Sequence, residues 1–142
     1  MQLIHCLFSF CSEPVENIDN IYLLWVNRRA CGFITLRPCW DAFPQHDFDI
    51  VDTVFLRKSS RGQGYVTQFI QTKLLQNEDL AFSQPISNKM LKSLLKFLKQ
   101  NQEFKERIWI VDQDLEEKQI LWWSAAKIAR QRNLDLKTML KT

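Results

Sequence analysis

Strand-like segments fill the first part of this chain, and helix-like and strand-like segments alternate after residue 64. The segments 21–27 and 30–38 are rich in β-branched and aromatic residues and lie close enough to form a hairpin. The segment 48–57 alternates like a third strand, and its continuous apolarity near residue 55 indicates a central strand buried on both sides. Such a cluster of strands constrains the fold to one built around a sheet.

The second half of the chain predicts helices that alternate with strands. Apolar residues at helical spacing predict a helix from about residue 64 to 76. A short strand over 80–85 follows, and Ser87 is a candidate N-cap for a second helix. The segment 107–112 is predicted to be a strand and 115–132 the last helix. This order of elements predicts an α/β unit around a mixed sheet.

The composition is that of a globular protein without a membrane span. The chain has 142 residues, which suits a single domain over residues 1–142, and 46% of them are hydrophobic and 25% charged. No apolar run approaches the roughly 20 residues of a membrane helix, and residues 1–11 lack the basic leader of a secretory signal. The net charge of +3 permits an anionic ligand. We therefore expect an intracellular protein.

The cysteines do not predict a metal site. Their spacings, C-x4-C and C-x7-C, match no common zinc pattern. We expect free, buried or half-buried thiols in a reducing compartment.

A turn rich in glycine and basic residues separates the third predicted strand from the first predicted helix. It contains Gly62 and Gly64, two of the three glycines in the chain, beside Arg57, Lys58 and Arg61. The first N–H groups of a helix have no backbone partner, so a strand, a glycine turn and a helix start together favour phosphate binding. The turn has neither the nucleotide triphosphate pattern nor the dinucleotide fingerprint. The alternative interpretation is a tight turn that needs positive φ.

The turn resembles the coenzyme A pyrophosphate loop of the GNAT superfamily of acyl-CoA-dependent N-acyltransferases, whose pattern is [QR]-x-x-G-x-[GA]. Val66 stands where that pattern has a small residue, and a β-branched side chain there would crowd a pyrophosphate. The resemblance implies a GNAT-like, mixed and mostly antiparallel sheet flanked by helices, with acetyl-CoA as the cofactor. It also implies main-chain contacts to the pantetheine arm from Val54, Phe55 and Leu56. The implied pyrophosphate-binding residues are Arg61, Gly62, Gln63, Gly64, Tyr65 and Val66.

A closer resemblance covers roughly residues 20 to 112. GFITLRP (32–38), VDTVFLRKSSRG (51–62) and RIWIVD (107–112) are similar to the GNAT-like core of the vertebrate "family with sequence similarity 169", which includes the soluble lamin-associated protein. The resemblance implies residence in the nucleus or cytoplasm and a nuclear protein partner. Relative to that family the chain looks short at its N-terminus.

Two functions follow from the resemblance. An N-acetyltransferase of unknown acceptor needs a base, and the implied candidate is Asp52, with Asp49 and Asp47 behind it. These carboxylates also fit a polar strand entrance exposed to solvent. Many relatives use a late tyrosine as the acid, whereas Tyr22 and Tyr65 come too early in this chain. The alternative is a non-catalytic GNAT-like scaffold or a nuclear-envelope-associated interaction module.

A row of lysines on the second predicted helix allows a third interpretation. The row is Lys89, Lys92, Lys96 and Lys99. Such a face can lie on nucleic acid or on an anionic membrane, but it is more often the solvated side of a helix. No nucleic-acid partner is therefore expected. Trp122 and Trp123 are predicted to pack in the core or in an interface.

Overall fold

The computed structural model describes residues 6–11, 20–38, 48–112 and 117–141, with the backbone alone for the first of these ranges. The strands are β1 (Cys6–Cys11), β2 (Asn20–Val26), β3 (Arg29–Pro38), β4 (Phe48–Leu56), β5 (Asp79–Ser83), β6 (Ile108–Val111) and β7 (Lys118–Ile120). The helices are α1 (Tyr65–Leu75), α2 (Asn88–Gln100), α3 (Leu121–Gln131) and α4 (Leu136–Met139). The longest helix has 13 residues, and no described helix is long and apolar enough to cross a bilayer.

The strands form one seven-stranded sheet in the order of the sequence. The pairs from β1 to β4 are antiparallel, β4, β5 and β6 run parallel, and β7 is antiparallel to β6. Parallel neighbours need crossover connections, which α1 and α2 provide. The predicted α/β class with a mixed, mostly antiparallel sheet flanked by helices is thus confirmed.

The predicted hairpin is formed by β2 and β3. Val26 pairs with Arg29 across a two-residue turn in which Asn27 has φ 51° and Arg28 has φ 66°. Positive φ at both central residues is the geometry of a type I′ turn, whose twist matches that of the flanking strands. The register set by this turn holds through the pair Trp25–Ala30 and then shifts by one residue at a β-bulge, after which Leu24 pairs with Gly32.

The main core lies between one face of the sheet and the helices. Four leucines of α2 recur at helical spacing and are at most 1% exposed: Leu91, Leu94, Leu95 and Leu98. Burial of each such side chain contributes about 2 kcal/mol. Side chains alternate along β4, so Val51 joins this core whereas Ile50 joins a smaller buried cluster on the opposite face. The helices thus cover one face of β4, and the main-chain groups along its two edges remain available to neighbouring strands.

A buried lysine ties α1 to β2. The ammonium group of Lys73 donates a hydrogen bond to the Tyr22 hydroxyl at 2.9 Å and forms an ion pair with Glu78 at 3.2 Å. Burial on its own lowers the pKa of Lys73, but the hydrogen bonds and attractions to Tyr22 and Glu78 outweigh it. The pKa therefore lies above its ordinary value of 10.5.

Three parts of the sequence prediction need correction. The end of β4 near residue 55 is not buried on both sides, because Phe55 is 45% exposed and β5 no longer pairs with β4 there. The last helix does not begin at residue 115, because Lys118–Ile120 pairs with β6 as strand β7 and the helix begins at Leu121. The short helix Leu136–Met139 was not predicted; Asp135 caps it by accepting a hydrogen bond from the backbone N–H of Lys137.

Some predictions fall outside the described residues. Asp47, named behind the candidate base Asp52, lies there, as does Cys39. The prediction of a free, buried thiol is confirmed for Cys31.

Candidate anion-binding turn and strand edge

The glycine turn has an open backbone. Gly62 and Gly64 adopt φ of 75° and 80°, the left-handed conformation that glycine reaches without steric cost. A Cβ added to either residue would meet no atom within 4 Å. The turn therefore needs glycine for its conformation, and its outer side is also clear enough for a ligand to approach the main chain.

Backbone donors converge at this turn. Gly64 precedes α1 and offers no side-chain cap, and the first α-helical hydrogen bond runs from the Gln68 N–H to the Gly64 carbonyl. Within the described part of the chain, the N–H groups of residues 62–67 make no hydrogen bond. Such donors at the positive end of a helix suit an anion with several oxygens.

The side chains of the turn hold its shape rather than fill it. Arg61 Nε donates to the Leu56 carbonyl at 2.9 Å, and Gln63 Nε2 donates to the Ser59 carbonyl at 3.0 Å. The Tyr65 hydroxyl donates to Gln63 Oε1 at 3.0 Å, and its ring is buried with Leu24 and Cys31. Of the residues implied as pyrophosphate-binding, Tyr65 thus lies in the core.

Val66 and the basic residues border the turn. Val66 is partly buried and packs against the main core from the first turn of α1, so its side chain points toward the sheet. Arg57, Lys58 and Arg61 are exposed. Positive side chains therefore surround a backbone that already presents positive partial charges.

Strand β4 has an edge that β5 leaves unpaired. Pairing between these strands runs from Phe48 with Asp79 to Val51 with Phe82 and then stops, although β4 continues for five residues. The Gln84 N–H donates to the Val111 carbonyl at 2.9 Å, so the chain beyond β5 follows β6 and leaves β4. The two strands separate at the end where the glycine turn lies. A rise of about 3.3 Å per residue makes this edge about 16 Å long.

The main chain of β4 alternates between the two edges. The Arg57 N–H donates to the Cys31 carbonyl of β3, so period-2 alternation turns the main-chain groups of Val54 and Leu56 toward the unpaired edge. The Phe55 carbonyl faces β3, and its ring stacks on Phe33 with centroids 5.5 Å apart. Of the three residues implied as pantetheine contacts, Val54 presents its main chain to that edge, and Leu56 presents its N–H, because the Leu56 carbonyl accepts a hydrogen bond from Arg61 Nε.

Asp52 occupies a β-bulge. Thr35 pairs with Thr53 and Leu36 with Val51, so Asp52 is the extra residue of β4. It forms an ion pair with Arg37, whose Nη2 lies 3.3 Å from its Oδ1. The carboxylate is thus exposed, oriented by an arginine and placed just before the unpaired edge.

The hydroxyl groups of both tyrosines of the chain are hydrogen-bonded. Tyr22 accepts a hydrogen bond from Lys73 on the far side of α1, and Tyr65 is 6% exposed. Leu56 at the end of β4 packs against the buried cluster that contains Tyr65, and the Tyr65 hydroxyl is hydrogen-bonded to Gln63.

A small open pocket of about 170 Å³ lies at the carboxyl ends of β5 and β6. Its polar walls include Gln84 after β5, Asp112 after β6 and Lys127 of α3. Because β4 runs parallel to these strands, the pocket lies at the same end of the strands as the glycine turn. The sequence prediction missed this pocket because its residues come from elements that are distant along the chain.

Comparisons with known proteins add little. A scan against protein-family models finds no match, and a search of curated proteins finds none either. One solved structure, an integron cassette protein from the mobile metagenome of Cole Harbour Salt Marsh, is similar at 19% identity with a TM-score of 0.36. The match covers 46% of this chain and 45% of that one. Similarity at this level carries no argument about fold or function.

Proposed function

We propose that the protein binds an acyl-coenzyme A such as acetyl-CoA along the unpaired edge of β4, with its diphosphate at the glycine turn. The observation that carries this proposal is the meeting of two features at the carboxyl end of β4. There the sheet opens between β4 and β5, and the turn beside the opening presents unpaired N–H groups on a backbone that Gly62 and Gly64 leave uncovered. Either feature alone is common; together they suit a ligand with an extended amide arm and a diphosphate.

Each part of the ligand has a matching set of donors and acceptors. A pantetheine arm carries two amide groups, and an extended amide chain binds a strand edge as an added strand does. The main chain at Val54 and Leu56 would receive it. The diphosphate would accept hydrogen bonds from N–H groups of residues 62–67, with Arg57 and Lys58 nearby. The protein contributes mostly main-chain contacts, which explains how Val66 is tolerated.

Acyl transfer to an amine is the second step of the proposal. A bound acyl-CoA would supply the acyl group as a thioester: the amine nitrogen forms an amide bond with the acyl carbon, the C–S bond breaks, and coenzyme A leaves as its thiol after the thiolate takes up the proton that the amine loses. Asp52 is the proposed base, because it lies just before the opening and Arg37 fixes its orientation. The acceptor site is not assigned to the pocket beside Gln84 and Asp112, because that pocket lies on the helix-covered face with Ile110 and Ile128, whereas Arg37 pairs with Ile50 and holds Asp52 on the opposite face. The resemblance noted in the sequence would locate the protein in the nucleus or cytoplasm.

A specific observation also favours a non-catalytic scaffold as the second candidate function. Asp52 is held in an ion pair, and the hydroxyl groups of both tyrosines are hydrogen-bonded, that of Tyr22 to Lys73 and that of Tyr65 to Gln63. In this alternative the ligand-binding opening serves recognition, and a nuclear protein is the proposed partner. Acetyl-CoA binding without hydrolysis or transfer to polyamine, peptide or lysine acceptors would favour the scaffold.

The test measures acetyl-CoA binding by calorimetry and thermal shift for the wild type and two charge variants. Thr67→Glu puts a carboxylate in the first turn of α1, where the diphosphate is proposed to bind. A like charge a few ångströms away should weaken binding about tenfold, or about 1.4 kcal/mol. Glutamate at a helix N-terminus is favourable to the helix, so the variant should fold. Gln71→Glu, one turn later on α1, is the matched control and should bind as the wild type does.

Ligand fragments separate the two halves of the site. Pantetheine lacks the diphosphate, so its binding should be equal in all three proteins, whereas binding of 3′,5′-ADP and free pyrophosphate should follow that of acetyl-CoA. Saturation at 100 times Kd should stabilise the fold by about 2.7 kcal/mol. Absence of any thermal shift at millimolar acetyl-CoA, or equal binding by Thr67→Glu and Gln71→Glu, would refute the site.

A further inference from the structure

The charges on the α-helices have one sign. The four described α-helices contain no aspartate or glutamate, although the chain has 16 acidic residues; the 3-10 helix Gln102–Phe104 after α2 contains Glu103. They carry one basic residue on α1, four on α2, two on α3 and one on α4. Surface helices commonly mix both signs, since opposite charges three or four residues apart stabilise a helix. The α-helices therefore lack stabilising pairs of opposite charge, and their exposed surface is positive.

The basic residues of α2 and α3 lie on neighbouring helices and are together called the basic face; one of them, Lys127, also lines the pocket that contains Asp112 and Glu117. Its members are Lys89, Lys92, Lys96 and Lys99 of α2 and Lys127 and Arg130 of α3. The two helices pack side by side on the sheet, and Arg132 joins their ends by donating hydrogen bonds to the Ile86 carbonyl at 2.7 Å and to Asn88 Oδ1 at 2.9 Å. None of the six members forms an ion pair with a described residue.

The geometry of α2 fits a long anion. Lys89 and Lys99 are ten residues apart, which corresponds to about 15 Å along a helix. Lys99 also donates a hydrogen bond to the Leu140 carbonyl at 3.2 Å, which brings the C-terminal end of α2 against α4. The nearby acid Asp135 is occupied as the cap of α4. A single small anion would engage one or two of these lysines, whereas a polyanion engages the whole row.

An exposed tryptophan lies on the same side of α3. Trp123 is 64% exposed and precedes Lys127 by four residues and Arg130 by seven, so the three side chains share one face of the helix. Trp122, by contrast, packs on the core under the ammonium group of Lys105, which lies 4.3 Å from its ring. An aromatic ring beside cations is the combination that stacks an unpaired base next to its phosphates.

We propose that the basic face binds single-stranded nucleic acid, with phosphates along the lysines of α2 and a base stacked on Trp123. A membrane surface fits less well, because the apolar side of α2 is buried against the sheet and has nothing to insert. Lysine contacts to phosphate carry no sequence information, so binding is sequence-independent. The proposal departs from the expectation drawn from the lysine row alone, and it does not depend on acyl-CoA binding.

The test uses fluorescence anisotropy with labelled 20-nucleotide oligo-dT and oligo-rU. For four phosphate contacts, the slope of log Kobs against log salt should be about −2.8. Lys89→Glu/Lys92→Glu should weaken binding at least tenfold and reduce the slope by about 1.4. Both substitutions lie near the N-terminus of α2, where glutamate is favourable, so Tm should not fall. The matched control, Arg28→Asp/Arg29→Glu, makes the same charge change in the exposed hairpin turn and should bind as the wild type does.

A second variant tests the stacking contact. Trp123→Ala should weaken single-strand binding about tenfold and leave the affinity for a duplex of equal length unchanged. Equal binding by Lys89→Glu/Lys92→Glu and the hairpin control would overturn the proposal, as would no binding at 50 mM salt. Salt-sensitive binding to phosphatidylserine vesicles or to polyglutamate, without binding to oligonucleotides, would also overturn it and assign the basic face to a membrane or to an acidic protein.

Discussion

Gly32 permits the close approach of β3 to β4, the strand whose other edge is the proposed ligand-binding edge. It pairs with Leu56, and a Cβ built on it would overlap the Phe55 carbonyl oxygen and lie 2.7 Å from Leu56 Cδ2 and 3.0 Å from Leu56 Cα. Two of these three atoms belong to the backbone of β4, so rotation of a side chain cannot relieve the overlap. Gly32→Ala must therefore push the two strands apart at the end of β4.

The free-energy cost of that displacement can be compared with the cost of overpacking. Overpacking of a well-packed core costs about 1–3 kcal/mol, and displacement of a backbone falls toward the upper end, about 2–3 kcal/mol. A domain of this size loses about 3 °C of Tm per kcal/mol, so Tm should fall by about 6–9 °C. Gly62→Ala is the comparison, because its Cβ meets nothing and only the left-handed φ opposes it. Its cost should be about 1 kcal/mol.

Thermal melts followed by near-UV circular dichroism, together with urea titrations, measure both variants. The urea midpoint should fall for Gly32→Ala at an unchanged m value, since the fold itself is retained. If Gly32→Ala melts no lower than Gly62→Ala, then β3 and β4 can move apart at little cost in free energy. Strand β4 would then not be held rigidly by β3 along the edge opposite its unpaired edge.

Two further predictions concern the helices. Ser87→Ala removes the hydrogen bond that the Met90 N–H donates to Ser87 Oγ at 3.1 Å, and should lower the unfolding free energy by about 1 kcal/mol in urea titrations, with Ser93→Ala on the exposed face as a near-neutral control. The pKa of Lys73 is raised in the folded state, so its contribution to stability is complete below 10.5 and is lost as pH rises through the higher folded value. Melts from about pH 9 to 11.5 should therefore show the stability of the wild type falling toward that of Lys73→Met; a constant difference would contradict this.

The local elements of the fold could be predicted because local patterns determine them. The hairpin followed from two β-rich segments around a short polar turn, and α1 from apolar residues at helical spacing after Gly64. Ser87 was predicted as an N-cap from its position before an amphipathic run, and its side chain accepts the expected hydrogen bond. In each case, the interactions that fix the element lie within a few residues of one another.

The sequence did not predict the features that depend on which strands pair with each other. The segment Lys118–Ile120 has helical composition, but it pairs with β6 as an antiparallel strand. The helix propensity of three residues is small, and the hydrogen bonds to the edge of β6 outweigh it. The unpaired edge of β4 was likewise hidden, since it depends on where β5 turns away. One sequence signal did exist: the predicted strand 48–57 has ten residues and the predicted strand 80–85 has six, so part of the first had to extend beyond the second.

The glycine turn and the basic face attract anions by different means, and this difference sets what each can bind. The turn at residues 62–67 offers backbone donors fixed by glycine and by the helix start, so it suits a compact anion whose oxygens match fixed positions. The lysines of α2 are flexible point charges spread along a helix, so they suit a chain of phosphates with no fixed spacing. A diphosphate and a polyanion are therefore not competitors for one site, and a substitution that weakens one interaction leaves the donors of the other in place.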